Sequence, residues 1–191
     1  GIRFYPLVAY YLLAITYSIF GNWFFAAQIS FYLIFFLSGI GTYLWAHEEF
    51  SDEQSLIAAA LFIFAPYHIN QIYNNFLYAE FASTAVIPFC FLFITRICKR
   101  NDLSSFLGLS IAYALLILTH LPLTIIGSIA LGIYGLAMIN REKFFKNFIA
   151  LASSACLGVA ASSFYWIKIV TEKDWLNHSG GKYFLTIYSY L

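Results

Sequence analysis

The stretch with the most varied side-chain chemistry lies at residues 66–80, between two apolar segments. It begins at a proline, ends at Glu80, and has hydrogen-bonding side chains at nearly every second position. A carboxylate among hydroxyl, imidazole and amide groups can act as a general base or a metal ligand while its neighbours position a polar substrate. The stretch therefore predicts a cavity floor with Glu80 as its catalytic residue. The candidate substrate-binding residues in it are Tyr67, His68, Asn70, Tyr73 and Asn74.

The same stretch also has a purely structural interpretation. Glu80 precedes an apolar run, and a carboxylate at a helix N-terminus is stabilised there by about 0.3–1 kcal/mol. Deeper in a bilayer, an ionisable group costs about 3 kcal/mol and is usually retained for function. The sequence leaves both alternatives open: a solvated loop whose glutamate caps a helix, and a polar site.

Two further residues complete the candidate substrate-binding set. His120 lies in a Thr-His-Leu-Pro run at 119–122, between two apolar segments, where it either closes a turn or joins the site of Glu80. Lys168 ends the last apolar segment. Its ammonium group either reaches the membrane interface along its own apolar stem or contacts a phosphate. The three cysteines have no metal-ligand spacing, so we predict that they are packing residues.

The composition decides which elements can carry these residues. Of 191 residues, 62% are hydrophobic and only 10% charged, and the mean hydropathy is +0.78. A soluble domain carries about 25% charged residues, so this chain cannot coat a water-facing surface. Its net charge of only +1 does not indicate a positively charged surface for binding nucleic acid. No nucleotide-binding, serine-hydrolase or zinc-protease motif occurs. The expected partner is therefore the lipid bilayer, with no nucleic acid.

Apolar runs of about 20 residues predict membrane helices. We predict an all-α, polytopic transmembrane bundle of six to seven helices within one integral membrane domain covering 1–191. The first helix is short enough to lie at the interface instead of crossing. On the last helix, small residues spaced by four (Ser154, Gly158, Ser162) predict close contact with another helix. The approximate helix bounds are 6–20, 24–46, 54–73, 81–97, 103–119, 121–139 and 148–168.

The basic residues predict the orientation in a cell membrane. Loops 96–102 and 140–147 together hold six Lys and Arg residues, whereas 67–80 holds none. Because short cytoplasmic loops are enriched in Lys and Arg, we predict that loops 96–102 and 140–147 are cytoplasmic. Loop 67–80 and the C-terminal tail, 169–191, are then extracytoplasmic. The acidic loop 47–53 falls on the cytoplasmic side.

Several short elements occur in an order that resembles one known family. They are Arg-Phe-Tyr-Pro-Leu at 3–7, Ser-Gly-x-Gly at 38–41, Pro-Tyr at 66–67 followed by Glu80, Thr-His-Leu-Pro at 119–122, and Tyr-Trp at 165–166. Over essentially the whole chain they resemble the integral membrane family called "6-pyruvoyl-tetrahydropterin synthase-related". The soluble pterin synthase is a zinc enzyme with a histidine triad on a small α+β fold. Nothing in this chain can supply that chemistry, so we expect that it is not a pterin synthase.

That family is in turn similar to GT-C-type glycosyltransferases and to YfhO-like membrane proteins. The resemblance implies a GT-C-like bundle that transfers a sugar from a polyprenyl-phosphate carrier at the extracytoplasmic face. Glu80 corresponds to the second acidic position of that class; the first would precede Gly1, so we expect the chain to be a fragment of a longer protein. The residues do not specify a cofactor, although a divalent metal is one candidate. The alternative is a non-catalytic scaffold or transporter-like protein that handles lipid-linked intermediates.

Overall fold

A computed structural model describes residues 7–73 and 77–171, apart from the side chain of Tyr73. Within these ranges the protein is helical, with ten α-helices, one short 3-10 helix at Arg141–Lys143 and no strand. The helices are α1 Leu7–Phe20, α2 Trp23–Ala46, α3 Asp52–Ile63, α4 Pro66–Tyr73, α5 Tyr78–Ser83, α6 Ile87–Lys99, α7 Leu103–Thr119, α8 Leu121–Met138, α9 Phe144–Ala161 and α10 Ser163–Thr171.

Five helical stretches in the described ranges are long and apolar enough to cross a membrane. Two shorter apolar helices, α1 and α7, accompany them. The prediction of an all-α polytopic bundle is confirmed. The five stretches are Trp23–Ala46, Asp52–Ile72, Tyr78–Lys99, Leu121–Met138 and Arg141–Ala161.

Three of the predicted segments are divided in the structure. The segment at 54–73 breaks into α3 and α4 at residues 64–65, because Pro66 has no N–H to continue the helix and disfavours helical geometry at the residue before it. The segment at 81–97 is interrupted between α5 and α6, just before Pro88. The segment at 148–168 is interrupted at Ser162, between α9 and α10.

The helices run between two ends that differ in chemistry. At the charged end, defined by loops 47–51, 96–102 and 140–143, Glu48 accepts hydrogen bonds from Arg96 at 2.6 Å and Arg100 at 3.0 Å. There Asn147 of α9 accepts a hydrogen bond from Asn101 at 3.0 Å. These contacts join loops 47–51 and 96–102 and the start of α9 at one end. The opposite end, called the Glu80 end, holds residues 66–73 and 77–80 and the turn at 119–121.

Helix α1 lies against the half of α2 that starts at the Glu80 end. The Thr16 hydroxyl contacts the Ala26 carbonyl at 3.1 Å, and Ala9 packs in one cluster with Ile34. The two helices are therefore antiparallel. The 14 residues of α1 rise about 21 Å, which is less than the hydrocarbon core of a bilayer, about 30 Å.

Close packing of α7 against α9 holds the second half of the bundle together. A Cβ atom at Gly158 would lie 2.8 Å from the Ser110 carbonyl oxygen, so only glycine allows this approach. One turn away, the Ser154 hydroxyl lies 3.1 Å from the Ser110 hydroxyl and 2.7 Å from the Phe106 carbonyl. The close contact predicted from the small-residue spacing is confirmed, and α7 is the partner helix.

Candidate functional site

Two short helices build the candidate site at the Glu80 end. Helix α4 starts at Pro66, whose fixed φ suits the first turn of a helix. Helix α5 starts at Tyr78 and has Glu80 in its first turn. A backbone hydrogen bond from Leu77 N–H to the Gln71 carbonyl, at 3.1 Å, ties the end of α4 to the start of α5.

The Glu80 carboxylate is the centre of the site. Its Oε1 atom accepts a hydrogen bond from the Gln71 side-chain amide at 2.8 Å and another from the Tyr67 hydroxyl. Gln71 is buried, whereas Tyr67 is 43% exposed. The carboxylate is therefore held between an enclosed amide and a phenol that is open to the surroundings. Two donors on one oxygen fix the orientation of the carboxylate.

His120 lies at the turn between α7 and α8. It ends α7 and starts α8, and its Nδ1 accepts a hydrogen bond from Leu123 N–H at 3.2 Å, which closes the turn. Burial lowers the pKa of His120, and the Glu80 carboxylate opposes that shift electrostatically. The Glu80 carboxylate is thus close enough to His120 to act on its pKa.

The predicted residues on α4 divide into an enclosed and an open group. His68 is 2% exposed and packs edge-on against Phe62 and Phe81, with ring centroids 4.7 and 6.3 Å away. Asn70 is exposed and lines, with Pro66, Tyr67 and Ile69, an open cavity of about 520 Å³. Tyr67 and Asn70 are therefore the candidates that a polar ligand can reach directly. His68 packs on the buried face of α4.

Of the remaining predicted residues, the structure describes Lys168, which is not brought to this cluster. Lys168 lies exposed on α10, and within the described residues no hydrogen bond or ion pair joins it to Glu80 or His120. The Tyr73 side chain, Asn74 and most of the predicted tail lie outside the described residues. Among the Lys and Arg residues that the structure describes, Lys168 alone lies away from the charged end.

Gln71 is the residue that the sequence reasoning missed. It follows Tyr67 by four positions, so both side chains lie on the same face of α4 and both reach Glu80. Given that α4 is a separate helix, the spacing of four alone would have predicted that Gln71 and Tyr67 face the same site.

The described residues do not form a metal centre. Over 7–73 and 77–171, no three His, Cys, Asp or Glu side chains gather where they could hold a metal ion. At Glu80, one carboxylate oxygen already accepts two hydrogen bonds. We therefore derive no chemical step through a metal at this site.

The helical bundle and its apolar spans define a multi-pass integral membrane protein, and the polar cluster places a carboxylate site at one end of it. The family model described as "6-pyruvoyl-tetrahydropterin synthase related domain; membrane protein" matches residues 2–185, so the chain belongs to this family. The resemblance to this family is confirmed. No curated protein and no solved structure matches the chain.

Proposed function

We propose that the protein is the membrane-embedded part of a GT-C-like glycosyltransferase that uses a polyprenyl-phosphate-linked sugar at the extracytoplasmic face. The observation that supports this most is the Glu80 carboxylate, oriented by Tyr67 and Gln71 at the end opposite the basic loops. The proposal takes its reaction type from the resemblance and its residue roles from this geometry.

In the proposed reaction, Glu80 is the general base. An acceptor hydroxyl attacks the anomeric carbon of the sugar while the Glu80 carboxylate takes the hydroxyl proton. The bond between the anomeric carbon and the phosphate oxygen breaks, and polyprenyl phosphate leaves with the electron pair. Gln71 is a positioning residue because it acts through Glu80. Tyr67 acts through Glu80 in the same way, and Asn70, which lines the open cavity beside it, contacts the acceptor.

The departing phosphate needs stabilisation by cations or hydrogen-bond donors. At the Glu80 end the described residues offer Lys168 as a permanent cation and His120 as a titratable one. This small supply favours a second candidate function, in which the protein binds lipid-linked intermediates without transferring the sugar. A carboxylate with fixed hydrogen-bond partners also serves that role, because it accepts hydrogen bonds from sugar hydroxyls.

The two candidates separate in a transfer assay. The full-length protein in lipid vesicles is supplied with a polyprenyl-phosphate-linked, radiolabelled hexose, and release of free polyprenyl phosphate is measured. We expect release by the wild type, a loss of at least a hundredfold in Glu80→Gln, and normal release in the control Glu53→Gln, which changes an exposed glutamate at the charged end. Carrier binding without release would favour the non-catalytic role. Unchanged release by Glu80→Gln at normal membrane levels would contradict the catalytic role.

A further inference from the structure

An apolar groove lies between α8 and α9 in the half of the bundle near the charged end, with residues of α6 and α7 at its floor. Its volume is about 260 Å³. One wall runs along α8 from Ser128 to Ile139, and the other runs along α9 from Phe148 to Ala155. Because Gly132 in the first wall is exposed, the groove opens on the outer surface of the bundle, where the lipid lies.

The depth of this groove matches one leaflet of a bilayer. From Ile139, next to the charged end, the α8 wall reaches Ser128 after a rise of about 16 Å. The hydrocarbon core of a bilayer is about 30 Å thick, so the groove ends near the mid-plane. Beyond Ser128 and Tyr113 a separate cavity of about 290 Å³ continues toward the Glu80 end. A chain that enters from the leaflet at the charged end therefore fits the groove, whereas a transmembrane helix would extend past it.

The walls of the groove suit a hydrocarbon chain. The polar side chains in its lining are those of Tyr113 and Ser128, and their hydroxyl oxygens lie 2.7 Å apart, within hydrogen-bond distance. The Ser128 hydroxyl also donates to the Thr124 carbonyl at 2.6 Å. A polar occupant would lose its water and gain no partner on the remaining apolar wall, which is unfavourable. An apolar cavity of about 150 Å³ already holds benzene, so this larger groove has room for a segment of an acyl chain.

The loop at the charged end of the groove supplies free cations, because it joins the two helices that form the walls. Arg141, Lys143 and Lys146 are exposed, and none of them makes an ion pair or a side-chain hydrogen bond with any residue that the structure describes. Glu142 offsets only one of these three charges. By contrast, the cations of loop 96–102 are all paired with glutamates. The loop beside the groove can therefore bind an anion that comes from outside the protein.

Of these cations, Arg141 lies on the side of the groove. It begins the 3-10 helix that leads into α9, and residues three apart in such a helix lie on one face, so Arg141 shares a face with Phe144. The Phe144 ring stacks on Phe148 with ring centroids 5.9 Å apart, and Phe148 lines the groove. Lys146 precedes Phe148 by two positions and therefore lies about 200° around α9 from it, on the other side of the helix.

We propose that this groove binds an anionic phospholipid of the leaflet at the charged end, with one acyl chain between α8 and α9 and the phosphate on Arg141. A guanidinium group matches a phosphate through two parallel N–H···O hydrogen bonds, and basic pockets between membrane helices bind anionic headgroups. A polyprenyl phosphate has the same two chemical parts, but its chain is longer than the groove is deep. The inference does not depend on sugar transfer, because Glu80 lies at the opposite end of the bundle.

The test uses two photoreactive lipids that differ only in the headgroup, a phosphatidylglycerol and a phosphatidylcholine, each with a diazirine near the end of one acyl chain. Each is mixed at low mole fraction into vesicles that contain the full-length protein, irradiated, and mapped by mass spectrometry. Labelling of the groove walls, 128–139 and 148–155, is divided by labelling of α3, whose exposed apolar residues report the bulk lipid. We expect phosphatidylglycerol to label the walls about fivefold more than phosphatidylcholine, the factor that one cation contributes beside an anionic headgroup.

Two matched pairs of variants locate the lipid. Gly132→Leu fills the groove without a clash, because a Cβ atom there meets nothing within 4 Å, so labelling of the walls by both lipids should be lost. Gly127→Leu is its control, since a Cβ atom there also meets nothing within 4 Å but Gly127 does not line the groove. Arg141→Gln should abolish the preference for phosphatidylglycerol while acyl-chain labelling remains. Lys146→Gln removes an equal charge on the other side of α9 and should keep the preference.

Three results would overturn the inference. Equal labelling of the wild-type groove by the two lipids would show that bulk lipid fills it without selection for charge. An equal loss of preference in Arg141→Gln and Lys146→Gln would show that the loop attracts anionic lipid without a defined site. An excess of unlabelled phosphatidylglycerol should displace the probe; displacement by polyprenyl phosphate alone would assign the groove to that carrier instead.

Discussion

Gln71 donates a hydrogen bond from its side-chain amide to Glu80 across the gap between two short helices, at 2.8 Å. The contact joins α4 to α5 at one end of the bundle and fixes a carboxylate that would otherwise have several rotamers. Tyr67 donates to the same oxygen. These two hydrogen bonds restrain the Glu80 side chain in one orientation, unlike a glutamate in a solvated loop.

The first prediction concerns the close contact of α7 and α9. Gly158→Ala should lower the free energy of unfolding by about 1–3 kcal/mol, because the new Cβ atom would lie 2.8 Å from the Ser110 carbonyl oxygen. The measurement is the thermal unfolding midpoint of the detergent-solubilised protein. Gly132→Ala on α8 is the control, since a Cβ atom there meets nothing within 4 Å. Equal midpoints for the two variants would show that this contact does not limit stability.

The second prediction concerns the ion pairs at the charged end. Glu48→Gln should destabilise the protein by about 1–3 kcal/mol, because the Glu48 side chain is only 7% exposed and accepts from both Arg96 and Arg100. Glu53→Gln, an exposed change nearby, should have little effect. Thermal unfolding in detergent again measures the difference, and a Glu53→Gln effect as large as that of Glu48→Gln would refute this account.

The same network gives a pH dependence. Burial alone would raise the pKa of Glu48, but the hydrogen bond and charge of Arg96, with Arg100 and Lys99, hold it below its usual value of 4.5. The stabilisation by Glu48 is therefore complete above pH 4.5 and is lost as the pH falls through the lower pKa of the folded state. Below the folded-state pKa of Glu48, the wild type and Glu48→Gln should therefore have similar thermal unfolding midpoints.

The third prediction is the orientation in the membrane. Because the basic loops lie together at the charged end, that end should be cytoplasmic. In a background without native cysteines, Ile69→Cys at the Glu80 end should react with an impermeant maleimide added to intact cells. Glu53→Cys at the charged end should react only after permeabilisation. The reverse pattern would invert the proposed topology and move Glu80 to the cytoplasmic side.

The fourth prediction links His120 to Glu80. Burial lowers the pKa of His120 below its ordinary value of 6.5, and the Glu80 carboxylate partly offsets this. In Glu80→Gln the offset disappears, so the pKa of His120 should fall further; NMR titration of isotope-labelled histidine measures this. Glu53→Gln is the control and should leave the titration unchanged. An identical His120 titration in Glu80→Gln would show that the two groups do not interact.

The sequence predicted the helical bundle and the segregation of charge because both depend on composition and on hydropathy over long windows. It did not predict the role of Gln71, because that contact depends on the break before Pro66 and on the angle between α4 and α5. Asn147 is a similar case. It is the last residue of the predicted basic loop 140–147, whereas in the structure it is fully buried in α9 and donates to the Cys98 carbonyl at 3.2 Å.

The interruption at Ser162 was also invisible in the sequence, since neither proline nor glycine marks it. The Ser162 hydroxyl donates to the Gly158 carbonyl at 3.0 Å, and such bonds from serine to the preceding turn bend helices. This bond accompanies the break, and a hydropathy pattern does not contain it.

The central claim is that Tyr67 orients a catalytic Glu80, and a double-mutant cycle on sugar transfer tests it most directly. Release of polyprenyl phosphate is measured for the wild type, Tyr67→Phe, Glu80→Gln and the double variant. We predict that Tyr67→Phe lowers release about tenfold, that Glu80→Gln lowers it at least a hundredfold, and that the double variant is no slower than Glu80→Gln, because Tyr67 acts through the carboxylate. Additive losses, or full activity in Glu80→Gln, would contradict the claim.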